Sequence, residues 1–208
     1  MSLAEGYTFC TAVEGGVTAE AIAAVVNAAL HRTESHILAK SRTDVQECTN
    51  LLQAPGCQFL CAVTTDGLVR DAGVDGTHPI SGGSSKLLAA VVRLDLPIEV
   101  DTEAEAETAT EAEAGTGAAT FGMVGTSLAH EKKGLASWLI GEAERRSKQH
   151  GAKSLQMHFP IVRQDMATFY GRLGFVHWKD TDMPKKFEHL VAPSARPMVL
   201  TWMRKELA

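Results

Sequence analysis

Residues 120–162 combine two sequence patterns that together require one particular connection. Residues 120–128 (TFGMVGTSL) and 155–162 are predicted strands, because β-forming residues dominate both. Between them, apolar residues recur every three or four positions, which predicts an amphipathic helix from about Gly134 to His150. Two strands joined through a helix form a crossover, so this part of the chain should lie on a sheet with a helix packed against it.

The rest of the chain is predicted to add mostly antiparallel neighbours to this sheet. Further strands are predicted at residues 7–13, 58–64, 87–94, 175–178 and 198–203. Further helices are predicted after the cap residue Thr18, at 44–53 behind a Thr43–Gln46 capping box, and at 165–173. The expected fold class is α/β of the α+β kind, a mostly antiparallel sheet of about seven strands flanked by four helices.

Charge is distributed unevenly along the 208 residues. The chain has 20 Lys and Arg against 25 Asp and Glu, but residues 98–118 hold seven acids and no base. This Glu/Ala/Thr tract repels itself, so we expect a flexible acidic insertion within a single domain 1–208. Binding of a basic partner by the tract is an alternative. The remainder is nearly neutral and has no basic footprint, which argues against a nucleic-acid partner.

Nothing in the sequence indicates export or a membrane. No apolar run approaches the length of a bilayer span, and the N-terminus has no signal-peptide pattern. Cys57 and Cys61 are four residues apart, which is not a metal-binding CxxC spacing, and Cys10 and Cys48 stand alone. We therefore expect a cytoplasmic protein with reduced thiols and no metal.

A short segment between the predicted strand and helix has the composition of an anion-binding turn. Glu131-Lys-Lys-Gly134-Leu-Ala136 leads directly into the helix, whose first turn offers unpaired backbone N–H groups and a partial positive charge. Gly134 allows a ligand to approach the backbone closely, and two lysines precede it. The segment can therefore cradle a pyrophosphate. The alternative is an ordinary tight turn with two solvated lysines.

Two sequence blocks resemble the GNAT superfamily of N-acetyltransferases. The family loop is Gln/Arg-x-x-Gly-x-Gly/Ala, and this chain has Gly134 and Ala136 at its small positions but Glu131 at the first. The second block, Ala-x-x-Phe-Tyr-x-x-x-Gly-Phe, is matched at Phe169, Tyr170, Gly174 and Phe175, whereas Ala167 stands one position closer to Phe169 than in the pattern. The N-terminal half matches only in pattern, although residues 33–36 and 42–44 resemble a GNAT subgroup of unassigned substrate.

The resemblance implies an acetyl-CoA site where the sheet splays between its fourth and fifth strands. Pantetheine would lie in the splay and contact backbone groups of Val124 and Thr126. The implied pyrophosphate site consists of the loop with its first position and the following hydroxyl, that is Glu131, Lys132, Lys133, Gly134, Leu135, Ala136 and Ser137.

The resemblance also implies an acyltransferase that passes the acetyl group directly to a primary amine of a small molecule or peptide. Tyr170 occupies the family position of the acid that protonates the CoA thiolate, and a backbone N–H near Val124 is the candidate oxyanion donor. A non-catalytic acyl-CoA-binding or regulatory module on the same fold is the alternative, because fold alone does not determine activity. Dimers are common among such proteins, so a homodimer is a further expectation.

The general base and the acceptor contacts stay open in the sequence. His158, on the strand beside the proposed cosubstrate, can accept a proton directly or through water. Glu34 and His36 lie between the first two helices, where many relatives contact the acceptor. Asp180 and Asp182 can attract a cationic amine, and water alone can serve as the relay. Arg163 stands where many family members carry Asn, which leaves its role open.

Overall fold

The sheet runs through nearly the whole chain. A computed structural model describes residues 5–65, 78–79, 86–98 and 117–207. The strands are β1 (Tyr7–Thr11), β2 (Cys57–Thr64), β3 (His78–Pro79), β4 (Leu87–Asp95), β5 (Ala118–Thr126), β6 (Ser154–Pro160), β7 (Val176–Asp182) and β8 (Val199–Glu206). Their order is β1-β2-β4-β5-β6-β8-β7, with the two-residue β3 beside β4. Every pairing is antiparallel except β5 with β6. This confirms the predicted mixed sheet of about seven main strands.

The parallel pair β5–β6 separates soon after it begins. Its register covers three residue pairs, from Ala118 opposite Ser154 to Thr120 opposite Gln156. Beyond these, β5 stays paired with β4 and β6 stays paired with β8. The sheet therefore opens between β5 and β6, as the predicted splay requires.

Helices cover both faces of the sheet. The helices are α1 (Ala12–Gly15), α2 (Ala19–Glu34), α3 (Val45–Gln53), α4 (Leu135–Gln149) and α5 (Gln164–Arg172). One core cluster joins α2 and α3 to Leu88 and Val91 of β4, and the other joins α4 to Ala90 and Val92. From Ala90 to Val92 successive residues of β4 point to opposite faces, and both faces of the strand are covered, which explains why its whole sequence is apolar except for Arg93 and Asp95.

Several predicted boundaries were wrong for local reasons. The first strand ends at Thr11, because Thr11 and Glu14 form a capping box that starts α1. The fourth main strand ends at Thr126, and residues 128–130 form a 3-10 turn. The predicted Thr43–Gln46 capping box is absent: Asp44 caps α3 by accepting a 2.7 Å hydrogen bond from the Glu47 N–H, while Asn27 binds the Thr43 backbone. Thr18 caps α2 as predicted.

The two C-terminal strands are longer than predicted. β7 continues to Asp182 and β8 to Glu206, because the two strands pair with each other along most of their length. A polar run such as Lys179–Asp182 lacks the apolar alternation by which strands are recognised, and the pairing partner supplies the stability instead. The predicted acidic insertion at 98–118 lies, apart from its ends, outside the described residues. Among the residues described above, no helix combines the length and apolar character that a membrane span requires.

Two glycines of β5 provide a test of how closely α2 packs on the sheet. A Cβ at Gly125 would stand 3.2 Å from the Val25 carbonyl oxygen and from the Val26 Cα, whereas a Cβ at Gly122 would have no atom within 4 Å. We expect Gly125→Ala to lower the free energy of unfolding by about 1–3 kcal/mol relative to Gly122→Ala, because backbone atoms of α2 must move. Urea unfolding of both variants measures the difference. Equal stabilities would mean that α2 is not held close to β5.

Candidate active site

The predicted pyrophosphate loop turns sharply into α4. Lys132 and Gly134 both have positive φ angles, +59° and +75°, and α4 begins at Leu135. A Cβ on Gly134 would meet no atom within 4 Å, so the space beside this residue is open. The first hydrogen bond of the helix is donated by the Trp138 N–H to the Gly134 carbonyl oxygen, which leaves the amides before it outside the helical ladder. The loop thus has the form of an anion cradle, and its binding role stays a prediction.

A buried hydrogen bond fastens this loop to the first strand. The Tyr7 hydroxyl and His130 Nδ1 are 2.8 Å apart, and their rings meet edge to face. The Lys133 ammonium lies 5.5 Å from the centre of the Tyr7 ring. Burial, and then the charge of Lys133, lower the pKa of His130. The neutral imidazole therefore leaves Lys133 as the positive charge that faces the cradle from this side.

A second contact ties the loop to α2. Arg32 donates to the Glu131 carboxylate at 2.6 Å and to the Thr126 carbonyl oxygen at 3.1 Å. Glu131 stands where the family carries Gln or Arg, and its side chain is here paired with a guanidinium from another element. Arg32 was not predicted, since a lone arginine near the end of a helix carries no distinctive sequence signal.

The backbone of β5 is irregular where the sheet opens. Gly125 faces Val91 and Gly122 faces Arg93, so Met123 and Val124 together stand opposite the single residue Val92. Met123 takes a φ of +48°, which is strained for a side chain of this size. A bulge of this kind leaves backbone groups out of the ladder and re-aims them. Val124, the predicted pantetheine contact, lies within it.

Beyond the bulge lies a cavity of about 270 Å³. β5, β6 and β8 form its floor, and the ends of α2 and α3 and the 3-10 segment at 185–190 form its rim. Of the predicted site residues, Val124, Tyr170, Glu34 and His158 line it. The structure therefore brings residues that are more than 130 positions apart in the sequence to one cavity.

Tyr170 is one of the residues that line this cavity and has 1% of its surface exposed. It is surrounded by the rings of Phe121, Phe159, Phe169 and Phe175, with centroid separations between 5.0 and 6.0 Å. Burial, and then the charge of Glu34, raise the pKa of the Tyr170 hydroxyl. The phenol is therefore protonated at neutral pH, which is the state that a proton donor needs.

Glu34 reaches the cavity as part of a buried charge cluster. Arg163 donates to the Glu34 carboxylate at 2.7 Å through Nη1 and holds Asp165 through Nε and Nη2 at 2.8 and 2.7 Å. Glu34 is 7% exposed and Arg163 9% exposed. Burial raises the pKa of Glu34, while Arg163 counteracts this effect. Arg163, whose role the sequence left open, orients the Glu34 carboxylate.

His158 presents an open ring face to the same cavity. Its ring packs on that of Trp202 from β8, with centroids 4.6 Å apart. The surrounding protein, together with the nearby charges of Arg42 and Arg93, lowers the pKa of His158 to about 4. The imidazole is thus neutral at physiological pH and able to accept a proton.

Other predicted acceptor contacts lie elsewhere. His36 is exposed and does not line the cavity. Asp180 pairs with His177 on the surface of β7 at 3.2 Å, and Asp182 at the exposed end of that strand is also outside the cavity lining. In the described part of the chain, no group of three His, Cys, Asp or Glu side chains is arranged to hold a metal ion.

The cavity also contains charged residues that the sequence reasoning missed. Arg42 and Arg93 both line it. Arg93 interrupts the apolar run LLAAVVRL of β4, and a charge inside a strand that is otherwise buried was a usable signal.

Comparison with solved structures gives matches along the whole chain. The protein yncA from Salmonella typhimurium, solved with its cofactor acetyl-CoA, matches with a TM-score of 0.63 at 14% identity, covering 98% of this chain and 95% of its own. The ribosomal-protein-alanine N-acetyltransferase from Brucella melitensis matches with a TM-score of 0.60 at 13% identity, covering 97% of this chain and 99% of its own. An acetyltransferase of the GNAT family from Streptococcus pneumoniae matches with a TM-score of 0.55 at 12% identity, covering 97% of this chain and 99% of its own.

No protein-family model and no curated protein sequence matches the chain. At such identities the likeness is one of fold. It extends over the splayed sheet and over the loop and helix that precede β6. On these grounds, the chain has the fold of the GNAT acetyltransferases.

Proposed function

We propose that this protein is an N-acetyltransferase that moves the acetyl group of acetyl-CoA to a primary amine of a small molecule or peptide. The observation that carries the proposal is the position of Tyr170, a buried and protonated phenol in the lining of a cavity that residues of the parted strands β5 and β6 also line. The likeness to yncA, solved with acetyl-CoA, and to an alanine N-acetyltransferase supports it.

The residues of the loop suit the cosubstrate. The open space beside Gly134, the amides from Lys132 to Ala136 and the Ser137 hydroxyl would hold the pyrophosphate, while Lys132 and Lys133 supply positive charge. Backbone groups of the β5 bulge near Val124 and Thr126 would contact the pantetheine, and one of them would face the developing oxyanion.

The chemistry is a direct attack of the neutral amine on the thioester carbonyl carbon. The new C–N bond forms as the C–S bond breaks, and the Tyr170 hydroxyl gives its proton to the thiolate sulfur. His158 takes the proton that the amine nitrogen loses, directly or through water, and that proton finally restores the phenol. Glu34, held by Arg163, attracts the amine into position.

Replacing Tyr170 by Phe removes only the hydroxyl from a site that is otherwise packed with rings. We expect kcat for CoA thiol release to fall about 100-fold or more, because the acid is lost. The affinity for acetyl-CoA should change less than threefold. Steady-state kinetics and calorimetry separate the two effects, and a melting curve checks the fold. Unchanged turnover would exclude Tyr170 as the acid, whereas binding without thiol release in the parent protein would favour a non-catalytic module.

Alanine variants of two glycines at opposite ends of α4 distinguish the effect of blocking a ligand from the effect of backbone strain. Gly134 and Gly151 have φ angles of +75° and +73°, and a Cβ on either would meet no atom within 4 Å. Alanine should cost each site a similar backbone strain of about 1–2 kcal/mol. Only Gly134→Ala should also weaken acetyl-CoA binding, by about tenfold or more, since its methyl group would occupy the cradle. Calorimetry on both variants tests this, and equal affinities would place the pyrophosphate elsewhere.

The lowered pKa of His158 predicts a pH dependence of stability. The unfolded chain binds the proton at about pH 6.5, but the folded chain does so only at about 4. Between these values the unfolded state holds more protons, so stability decreases as pH falls through this window. We expect His158→Gln to lose less of its melting temperature between pH 7 and pH 5 than the parent. The matched control is His36→Gln, at a histidine outside the cavity lining, and a parent-like slope in His158→Gln would contradict the lowered pKa of His158.

A further inference from the structure

Two guanidinium groups line the cavity from different elements. Arg42 comes from the segment between α2 and α3, and Arg93 comes from β4, where it stands opposite Gly122. They are close enough for the charge of Arg93 to lower the pKa of Arg42, although burial is the larger cause. Two like charges at one cavity are costly unless an anion joins them.

Arg42 is incompletely paired within the protein. Its Nη1 is buried and has no hydrogen-bond partner among the described residues. The carboxylate of Glu47 lies 3.7 Å from this nitrogen, which is too long for a hydrogen bond. A buried charged donor without an acceptor is destabilising, so this site is built for an acceptor that the chain itself does not supply.

Arg93 is anchored to Asp95 through one side of its guanidinium fork. Its Nε and Nη2 both contact Asp95 Oδ2, at 2.9 and 2.7 Å, and Thr120 donates to the same oxygen. This pairing does not involve Nη1. The residue is thereby held rigidly beside Gly122, where a side chain would meet open space.

The rest of the cavity lining supplies both acidic and apolar groups. Glu34, which Arg163 holds, is the acidic group near Tyr170, and Leu51, Phe187 and Trp202 contribute apolar surface. A molecule in the cavity would therefore meet the Glu34 carboxylate, a neutral imidazole at His158 and two guanidinium groups at Arg42 and Arg93, with Glu47 beside Arg42.

We propose that the acceptor is a small amine that also carries a carboxylate, with the carboxylate bound by Arg42 and Arg93 and the amine directed to Glu34 and His158. This inference rests on the proposed acetyltransferase activity. The planar guanidinium group matches the two oxygens of a carboxylate, and the opposite charges of the two groups strengthen the hydrogen bonds between them. The cavity volume of about 270 Å³ favours an amino acid over a folded protein segment.

The test compares three forms of one acceptor. Release of CoA thiol from acetyl-CoA is measured with leucine, leucinamide and isoamylamine, and with the same three forms of phenylalanine and methionine. We expect kcat/KM for at least one free amino acid to exceed, by tenfold or more, that of both forms that lack the carboxylate. The amide has the less basic amine and is more often deprotonated, so availability of the nucleophile alone would favour it instead.

Variants of the two arginines link this preference to the cavity. Arg42→Met and Arg93→Lys should each reduce the ratio of kcat/KM between free and amidated amino acid by tenfold or more, chiefly through KM. Arg145→Met is the matched control, because Arg145 is half exposed on α4 and pairs with Glu142. Melting curves and acetyl-CoA affinity report whether the variants fold.

The outcomes separate the two levels of the proposal. If none of these amines supports thiol release in any form, the result contradicts the acetyltransferase activity itself. Thiol release that is equal or faster with the forms that lack the carboxylate leaves the acetyltransferase activity in place and overturns the carboxylate inference. A carboxylate preference that survives in both arginine variants would exclude Arg42 and Arg93 as its source.

Discussion

The separation of β5 from β6 is the constraint on which the rest of the site depends. The two strands share three residue pairs and then follow different neighbours, so their remaining backbone edges face a gap within the sheet. Unpaired strand edges are normally a liability, and here the bulge at Met123 and the cavity beyond it accompany the opening. The α4 crossover, with the loop before it, and α5, which carries Tyr170, immediately flank β6 in the chain.

The charges around the opening are organised in pairs that fix positions rather than add stability. Arg163 holds Glu34 and Asp165, Arg93 holds Asp95, and Arg32 holds Glu131. The buried pair of Arg163 and Glu34 gains little net energy, because desolvation offsets most of the attraction, and the more exposed pairs are weakened by solvent. Their effect is to orient groups and to set proton affinities. Glu34 contributes to the raised pKa of Tyr170, and Arg42 and Arg93 contribute to the lowered pKa of His158.

Sequence reasoning predicted the parts of the site that depend on local backbone form. The hexapeptide predicted a turn at Gly134 with a helix directly after it, and the structure adds that Gly134 takes a left-handed conformation. The order of strands and helices followed from periodicity, but the length of β7 depended on its pairing with β8. Arg32 and Arg42 were missed for the same reason, whereas Arg93 had a signal, a charge within an apolar strand. Each acquires its meaning only when the fold brings α2, the α2–α3 segment and β4 to one opening.

The proposed carboxylate also bears on how the base would work. A histidine with a pKa of about 4 is neutral and available, but it holds a proton weakly. Burial is the larger cause of this lowering, and the charges of Arg42 and Arg93 add to it. An anion bound to these two arginines would offset their charge and make His158 a stronger base only while the acceptor is in place. The acceptor would thus contribute to the removal of its own proton, and His158 would be held in its neutral form until an acceptor arrives.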